Sequence, residues 1–516
     1  MKKILLVAIN SSWSQSNLAL FYLREMLSGL SYQVIMRDFT LKDYPADVMK
    51  ALYQQQPDII CFSAYIWNRE YLQKLIPELK KLLPQAIIVL GGPETENLIP
   101  CLDARDFYII GSGEAAFREL AKQGFCHSRG DGNPAISHKL TLCHFLSNPN
   151  TPQKQQKIQG WIPASAGMTK SVQVTAGMTK GVQITAEMTK GATHYTSSTT
   201  LPLKQIPFPY HPSDKAQLQG KLLYYECYRG CPYNCVYCLS ANDFRTELRF
   251  DISDPQQLQK LYTELDALIA LEPKTIKFID RSFNIFPALA HKIWAYFISS
   301  DYPCEVHFEI YPDLLSEADF SLLETAPSGR IRFEIGIQST SDSIALNCGR
   351  KSTWKQSKQA LLQLKKRCKL RLHADLISGL PGETYESVLN SINQLCACLP
   401  DAVQLGTLKI LPDTPMQHIA QASGYLWLND PPYQCLASDA ISYPQMCTLE
   451  SLARILNLYW NKEEYTQEWQ QMLMQQQATD ILFAIMDKHQ ELGYELHSLA
   501  KGKRDAVMAA IYALVT

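Results

Sequence analysis

Cys231, Cys235 and Cys238 stand in the stretch CYRGCPYNCVYC (227–238), spaced C-x3-C-x2-C. Three thiolates on one short loop can hold three irons of a [4Fe–4S] cluster and leave the fourth iron open to a small molecule. Cys227 opens the same stretch. With it the loop offers four thiolates and a second chemistry, a closed structural zinc site. Gly230 permits an unusual turn before Cys231, and Pro232 stiffens the loop after it. A second set of candidates interrupts apolar runs further along: Asp280, Glu309, Glu334, Gln338 and Asp375. A polar side chain on a buried strand needs a partner, so each is a satisfied core group or part of a site.

The elements that must position these residues are legible from 213 onward. Strands read at 222–226, TIKFID (275–280), EVHFEI (305–310), IRFEIGI (331–337), LRLHADLIS (370–378) and AVQLGTLKI (402–410). Helical patterns separate them near 254–271, 286–299, 316–325, 353–367 and 384–397. Six consecutive β–α units predict a closed or partly closed parallel barrel with its site at the carboxyl-terminal rim. The five polar residues gather at that end, and the cysteine loop follows the first strand. A zinc site would instead sit in a small module of two paired knuckles. Placement at a barrel mouth favours the reactive reading.

Residues 1–124 carry a separate alternation. Apolar runs at 4–9, 34–39, 58–65, 86–92 and 107–111 alternate with helical patterns at about 17–29, 46–55, 69–83 and 114–122. This predicts a parallel sheet covered on both faces, which binds ligands beyond the carboxyl ends of its strands. Those ends read NSSW (10–13), SAYIWN (63–68), GGPE (91–94) and GSGE (111–114). Gly91, Gly92, Gly111 and Gly113 let backbone approach a ligand, or simply make tight strand-to-helix turns.

Between the two lies a block of different character, 125–205. AGMTKSVQVT, AGMTKGVQIT and AEMTKGATHY repeat at a period of ten, with few large apolar groups. Such a segment cannot offset the entropy of ordering, so a disordered insertion is expected. The tail, 425–516, reads as largely helical, with no catalytic spacing.

Composition narrows the class. A hydrophobic fraction of 46% and a charged fraction of 19% describe a globular chain with ample core. The net charge of −1 gives no footprint for nucleic acid or an anionic membrane. No segment reaches the roughly 18 apolar residues of a spanning helix. The N-terminal apolar run of about six residues is shorter than a signal peptide requires. Fifteen cysteines, mostly scattered singly, fit a reducing compartment, so a cytoplasmic location is expected.

RGCPYNCVYC, FIDRSFN (278–284), HFEIYPD (307–313), EIGIQST (334–340) and HADLISGLPGET (373–384) occur in this order. Together they resemble the radical S-adenosylmethionine (SAM) enzymes, in particular those with an N-terminal cobalamin-binding domain. YIWN, GGPE and GSGEAAF are similar to that domain in one subgroup, and GYLWLNDPPY to the start of its uncharacterised C-terminal region. The resemblance covers nearly all of the chain outside 125–205. GWIPASAGMTK resembles the translation of a mobile palindromic DNA repeat. The implied fold is a Rossmann-like (flavodoxin-like) cobalamin-binding domain, 1–124, a partial (β/α)6 TIM-type barrel, 213–424, and a helical C-terminal domain, 425–516.

The resemblance also implies roles. Cys231, Cys235 and Cys238 would ligate the cluster, whose open iron takes the amino and carboxylate groups of SAM. Tyr237 would lie near the adenine, and Tyr225 on the substrate side. Asp280 and Arg281 replace a glycine-rich turn that meets the methionine amino group. Glu309, Gln338, Arg350 and Asp375 match four SAM-contacting positions of coproporphyrinogen-oxidising relatives. Arg350 read alone could be no more than a surface ion pair. Residues 1–126 contain no histidine, so any cobalamin would lack a histidine lower ligand. Its contacts would come from Ser12, Trp13, Ser63, Trp67, Gly91, Gly92, Gly111 and Gly113.

The implied reaction is reductive cleavage of SAM to methionine and a 5′-deoxyadenosyl radical, fed by an electron donor such as flavodoxin or ferredoxin. Methyl transfer to carbon is the expected outcome, with a radical rearrangement or oxidation as the rival. A rival of another class is a non-catalytic regulatory protein whose Cys227 closes a zinc or iron–sulfur site. A third is a decaying gene, although the insertion lies between domains, where insertions are tolerated. No residue group marks a lipid, peptide, nucleotide or tetrapyrrole as the substrate.

Overall fold

A computed structural model of the chain describes residues 1–126, 173–176, 184–189, 192–197, 201–242 and 250–516. They divide into two compact units, one holding nearly all of 1–201 and the other nearly all of 210–516.

In the first unit the apolar runs form β1 (Lys2–Asn10), β2 (Tyr32–Thr40), β3 (Ile59–Ser63), β4 (Ile87–Gly91) and β5 (Phe107–Ile110). All pair in parallel, in the order β2-β1-β3-β4-β5. Three helices cross between them, α1 (Leu18–Met26), α2 (Pro45–Gln55) and α3 (Arg69–Leu82), and α4 (Gly113–Lys122) follows β5. Alternate residues of β1 serve two separate cores. Leu5, Val7 and Ile9 pack with Val48, Leu52, Leu72 and Ile76 of α2 and α3. Ile4, Leu6 and Ala8 pack with Leu20, Phe117 and Leu120 of α1 and α4. The order is flavodoxin-like, and it reverses direction beside β1.

Three short strands of the block 125–205 are described. β6 (Gln173–Ala176), β7 (Ile184–Thr189) and β8 (Ala192–Ser197) extend the sheet. β8 joins β5 in parallel, and β7 and β6 follow as antiparallel ribbons. The open edge of β5 supplies a template that composition cannot reveal, and the Val, Ile and Thr of the repeats suit a strand. The rest of 127–200 lies outside the described residues.

The second unit holds β9 (Leu222–Tyr225), β10 (Thr275–Phe278), β11 (Glu305–Ile310), β12 (Ile331–Gln338), β13 (Arg371–Ser378) and β14 (Ala402–Thr407). They form one parallel sheet in sequence order, open between β9 and β14. The expected helices lie at Pro255–Ala270, Pro287–Ser299, Glu317–Leu323, Trp354–Arg367 and Tyr385–Cys396. Along β12 and β13 buried residues alternate with half-buried ones. The half-buried set runs Arg332, Glu334, Gly336, Gln338 on β12 and His373, Asp375, Ile377 on β13. Ionisable residues therefore line the inner face along the strands, beyond the rim where the sequence places them. A closed barrel packs its interior with branched apolar side chains, whereas an open six-stranded arc leaves that face solvated.

The tail is helical at Tyr443–Ile455, Thr466–Met472, Ala478–Glu491 and Lys501–Val515, with a π-turn at Leu456–Trp460. It covers the β14 edge. The Asn461 side chain accepts from Val403 N–H (2.8 Å) and donates to Val403 C=O (2.9 Å), satisfying backbone groups an edge strand would leave open. Among the described residues no helix is long and apolar enough to cross a membrane.

Candidate cluster and cofactor sites

The loop after β9 is held from several sides. The buried Asp280 carboxylate accepts from the N–H groups of Cys227 (3.0 Å) and Tyr228 (2.7 Å). Ser282 N–H donates to the Tyr228 hydroxyl at 2.9 Å. Further along, Val236 N–H donates to Cys348 C=O (3.1 Å), and Met416 N–H donates to Val236 C=O (2.9 Å). Gly349, at φ 77°, lies so close that an added Cβ would stand 2.5 Å from the Asn234 carbonyl oxygen. Only glycine lets the two backbones meet there.

Held in this way, Cys231, Cys235 and Cys238 line one cavity of about 170 Å³ together with Tyr237, Arg281, Glu309, Gln338, Arg350 and Asp375. Cys227 is turned away. It is fully buried with its thiol 3.3 Å from Asp280 Oδ1, and burial together with that carboxylate pushes its pKa well above the ordinary thiol value. Among the described residues no three His, Cys, Asp or Glu side chains converge on a single-ion site. The arrangement suits a triad of thiolates facing a void better than a closed four-cysteine site.

Two residues implied as SAM contacts stand elsewhere. Asp280 binds the start of the cysteine loop and does not line the cavity, because its oxygens face the Cys227 and Tyr228 amides. Tyr225 points to the helix side of β9, where its hydroxyl donates to Glu264 at 2.6 Å. Alternation along the strand decides this, since Tyr224 and Tyr225 must face opposite sides.

Around the cavity each wall has a physical cause. Arg350 is buried, donates to Gly336 C=O at 2.6 Å and lies 4.8 Å over the Tyr311 ring, which stacks on Tyr233 of the cysteine loop at 4.3 Å. Both tyrosines stand within the quoted motifs RGCPYNCVYC and HFEIYPD, but spacing alone gives neither of them a role. A register shift between Gly336 and Gln338 puts Gln338 at φ 69°, and a Cβ at Gly336 would meet the Gln338 amide nitrogen. The bulge thus folds Gln338 back over Gly336 into the cavity.

Below them, Glu334 takes a hydrogen bond from Lys277 (2.9 Å) and lies 2.9 Å from His307 Nε2. Burial pushes Glu334 up, but these two neighbours outweigh it and hold it well below the usual carboxylate range. Asp375 goes the other way, pushed up to about 8 by burial and by the charges of Glu334 and Glu309.

The fit of a ligand can be tested on the walls. The Tyr237 hydroxyl, Gln338 Oε1 and Asp375 Oδ1 are buried with no aligned hydrogen-bond partner among the described residues, although His373 Nε2 lies 3.2 Å from Asp375 Oδ1. An unsatisfied buried polar group costs about 1–3 kcal/mol, so three beside one void favour a polar guest. With Arg350 for a carboxylate and Glu309 for an ammonium, the wall matches an amino acid joined to a nucleoside.

The first unit holds a second cavity, of about 180 Å³, at the carboxyl ends of β3, β4 and β5 between α1 and α4. Ser63, Gly91, Gly92, Gly111 and Gly113 line it, with Leu20, Leu23, Phe62 and Phe117. Asn17, absent from the motif reading, donates to Ser63 Oγ at 2.7 Å. Ser12, Trp13 and Trp67 do not line it. Ser12 and Trp13 follow β1, the strand next to β3, but are not among the cavity's walls, and Trp13 is 63% exposed. Trp67 stacks on Tyr65 at 4.3 Å and donates its indole N–H to Ile9 C=O. The walls, apolar with backbone at the edges, fit a flat ring such as the benzimidazole end of cobalamin. At Gly92, φ 107°, an added Cβ would stand 2.5 Å from Ala64 carbonyl oxygen. Gly92→Ala is expected to weaken cobalamin binding about tenfold or more in a visible-absorption titration, without changing the iron content of the second unit.

Comparison with known proteins follows the same division. Residues 4–121 match the B12 binding domain, 225–395 the radical SAM superfamily, and 421–501 a protein family of unknown function (DUF4080). The cobalamin-dependent radical SAM methyltransferase TokK of Streptomyces tokunonensis is 22% identical over 374 residues, 70% of this chain and 48% of TokK. An oxygen-independent coproporphyrinogen III oxidase of Paracoccus denitrificans (strain Pd 1222) is 32% identical over 101 residues, 20% of this chain and 22% of the oxidase. The chain spans about half the length of TokK or less of these curated relatives. Among solved structures, the cobalamin-dependent SAM radical enzyme OxsB, with aqua-cobalamin and SAM bound, aligns at TM-score 0.63 and 14% identity, over 100% of this chain and 79% of OxsB. The radical SAM methyltransferase TsrM of Kitasatospora setae aligns at TM-score 0.57 and 16% identity, over 82% of this chain and 76% of TsrM. These likenesses are of fold. The chain thus carries a region matching the radical SAM superfamily, with the cysteine triad at the mouth of its open barrel, and a region matching the B12 binding domain, built on the flavodoxin-like sheet.

Proposed function

We propose that this protein is a cobalamin-dependent radical SAM enzyme that transfers a methyl group to a substrate carbon or otherwise modifies it. The observation that carries the reading is the convergence of Cys231, Cys235 and Cys238 on one cavity with Arg350, Gln338 and Asp375, while Cys227 faces Asp280. The working division is a cobalamin domain at 1–124, an insertion at 125–205, the barrel at 213–424 and a helical region at 425–516. When bound, the cluster supplies the electron that opens the SAM sulfonium, and cobalamin supplies a methyl carrier.

The chain's own residues bind and orient. The three cysteines hold three irons as thiolates. Arg350, braced by Gly336 C=O and the Tyr311 ring, offers its remaining N–H groups to the SAM carboxylate. Glu309 accepts from the ammonium. Asp375, protonated near neutral pH by its raised pKa, can donate to or accept from a ribose hydroxyl, and Tyr237 borders the adenine. The free thiols found at every described cysteine support a reducing, cytoplasmic setting. TokK and TsrM, both named as methyltransferases, support methyl transfer over rearrangement.

The test is anaerobic reconstitution with iron and sulfide, reduction with dithionite and addition of SAM. 5′-Deoxyadenosine is expected from the parent protein and not from Cys235→Ser. Zinc bound in place of iron, with no product, would sink the proposal in favour of the regulatory metal protein.

A further inference from the structure

The helix Trp354–Arg367 carries five cations and no carboxylate, in a chain whose net charge is −1. Its cations fall into two sets. Lys365 pairs with Asp401, and Arg367 with Glu317 and Glu324. Lys355, Lys358 and Lys366 are exposed and have no carboxylate within ion-pair distance among the described residues. At i, i+3 and i+11, with Leu362 at i+7, they share one helix face. Leu362 is 45% exposed. Lys351, also exposed, leads into this face, and Leu346, 70% exposed, lies just before it.

This face begins at the cysteine loop. Cys348 and Gly349 pack against Val236 and Asn234, on either side of Cys235. Lys351 is two residues on, at most about 7 Å of chain. The first turn of the helix is tied in as well: Ser357 Oγ donates to Asp313 at 2.7 Å, two residues after the Tyr311 that stacks on Tyr233. Pro232 and Asn234 are themselves exposed, so the outer side of the loop reaches the surface beside the lysines. Apolar contacts ringed by unpaired cations, next to the cover of the cysteine triad, fit a partner with an acidic rim. Trp354, half-buried at the head of the helix, is its one aromatic residue, so the stripe lacks the row of aromatic platforms of a single-strand nucleic-acid site.

We infer that the Lys355–Lys358–Leu362–Lys366 face, with Lys351, is the docking surface for an acidic flavodoxin-type electron carrier. The inference rests on the cluster reading proposed above. In the step served, the carrier is oxidised by one electron and the cluster is reduced by one, with no proton or group transferred.

The test compares the parent with the K355E/K358E/K366E variant, and with K355Q/K358Q/K366Q in case charge reversal disturbs folding. Affinity for a bacterial flavodoxin is measured by fluorescence anisotropy at about 50 and about 300 mM NaCl, where screening separates charge-driven binding. 5′-Deoxyadenosine formation is then driven either by flavodoxin with its reductase or by dithionite. Binding and flavodoxin-driven rate are expected to fall about tenfold or more at low salt, while the dithionite-driven rate stays within about twofold. Unchanged flavodoxin affinity overturns the surface. So does a dithionite-driven rate that falls in step with the flavodoxin-driven one, because the lysines would then serve the substrate or the fold. If the parent forms no 5′-deoxyadenosine even with dithionite, the catalytic reading fails separately. Flavodoxin affinity still decides the surface: loss in the variants upholds it, equality overturns it.

Discussion

Cys235→Ser is expected to abolish cluster assembly, while Cys227→Ser retains it. Anaerobic reconstitution of the parent should give about four irons per chain with a broad visible absorption, and Cys227→Ser the same. The asymmetry follows from the loop. Cys235 opens on the cavity, whereas the Cys227 thiol is fully buried against Asp280, which also binds the amides of Cys227 and Tyr228. A serine at 227 can still hydrogen-bond that carboxylate, so the loop keeps its anchor. Iron lost equally from both variants would restore the closed four-cysteine site and remove the open coordination position on which SAM binding depends.

Arg350→Ala carries the second large effect. SAM affinity, measured by equilibrium dialysis on cluster-loaded protein, is expected to fall about 100-fold, or about 3 kcal/mol, the value of charge-assisted hydrogen bonds to a carboxylate. Arg350→Lys should recover little of this, because an ammonium cannot donate to Gly336 C=O, lie over Tyr311 and still present a planar fork. Iron content is the control, since Arg350 neighbours Cys235 and could act by loosening the loop. A loss of iron that matches the loss of SAM binding would make Arg350 a support for the cysteines. Gln338→Ala, which removes a buried unpaired acceptor without touching the loop, should weaken SAM binding about tenfold at unchanged iron content.

Much of this protein is written locally. The cysteine spacing declares a three-thiolate loop before any fold is known, because ligands within eight residues can be gathered by one local turn. The runs of Ile, Val and Leu in 1–124 announce a sheet buried on both faces, and β1 shows why, sending Leu5 to one core and Leu6 to the other. The β–α alternation from 222 to 407 likewise declares parallel strands with their functional ends together.

What tertiary structure alone decided is which polar groups face the void. Asp280 and Arg281 are adjacent in sequence, yet Asp280 turns under the loop to bind backbone amides and Arg281 lines the cavity. Tyr225 is lost to the helix side, while Tyr233 and Tyr311, distant in sequence, become a stacked wall. The edge of β5 pairs in parallel with β8, from a segment about 80 residues further along the chain. In each case the deciding term is pairwise and long-range: a hydrogen bond, a ring contact or an open edge supplied by a residue far along the chain. Composition and spacing report what a side chain can do, and the fold determines what it meets.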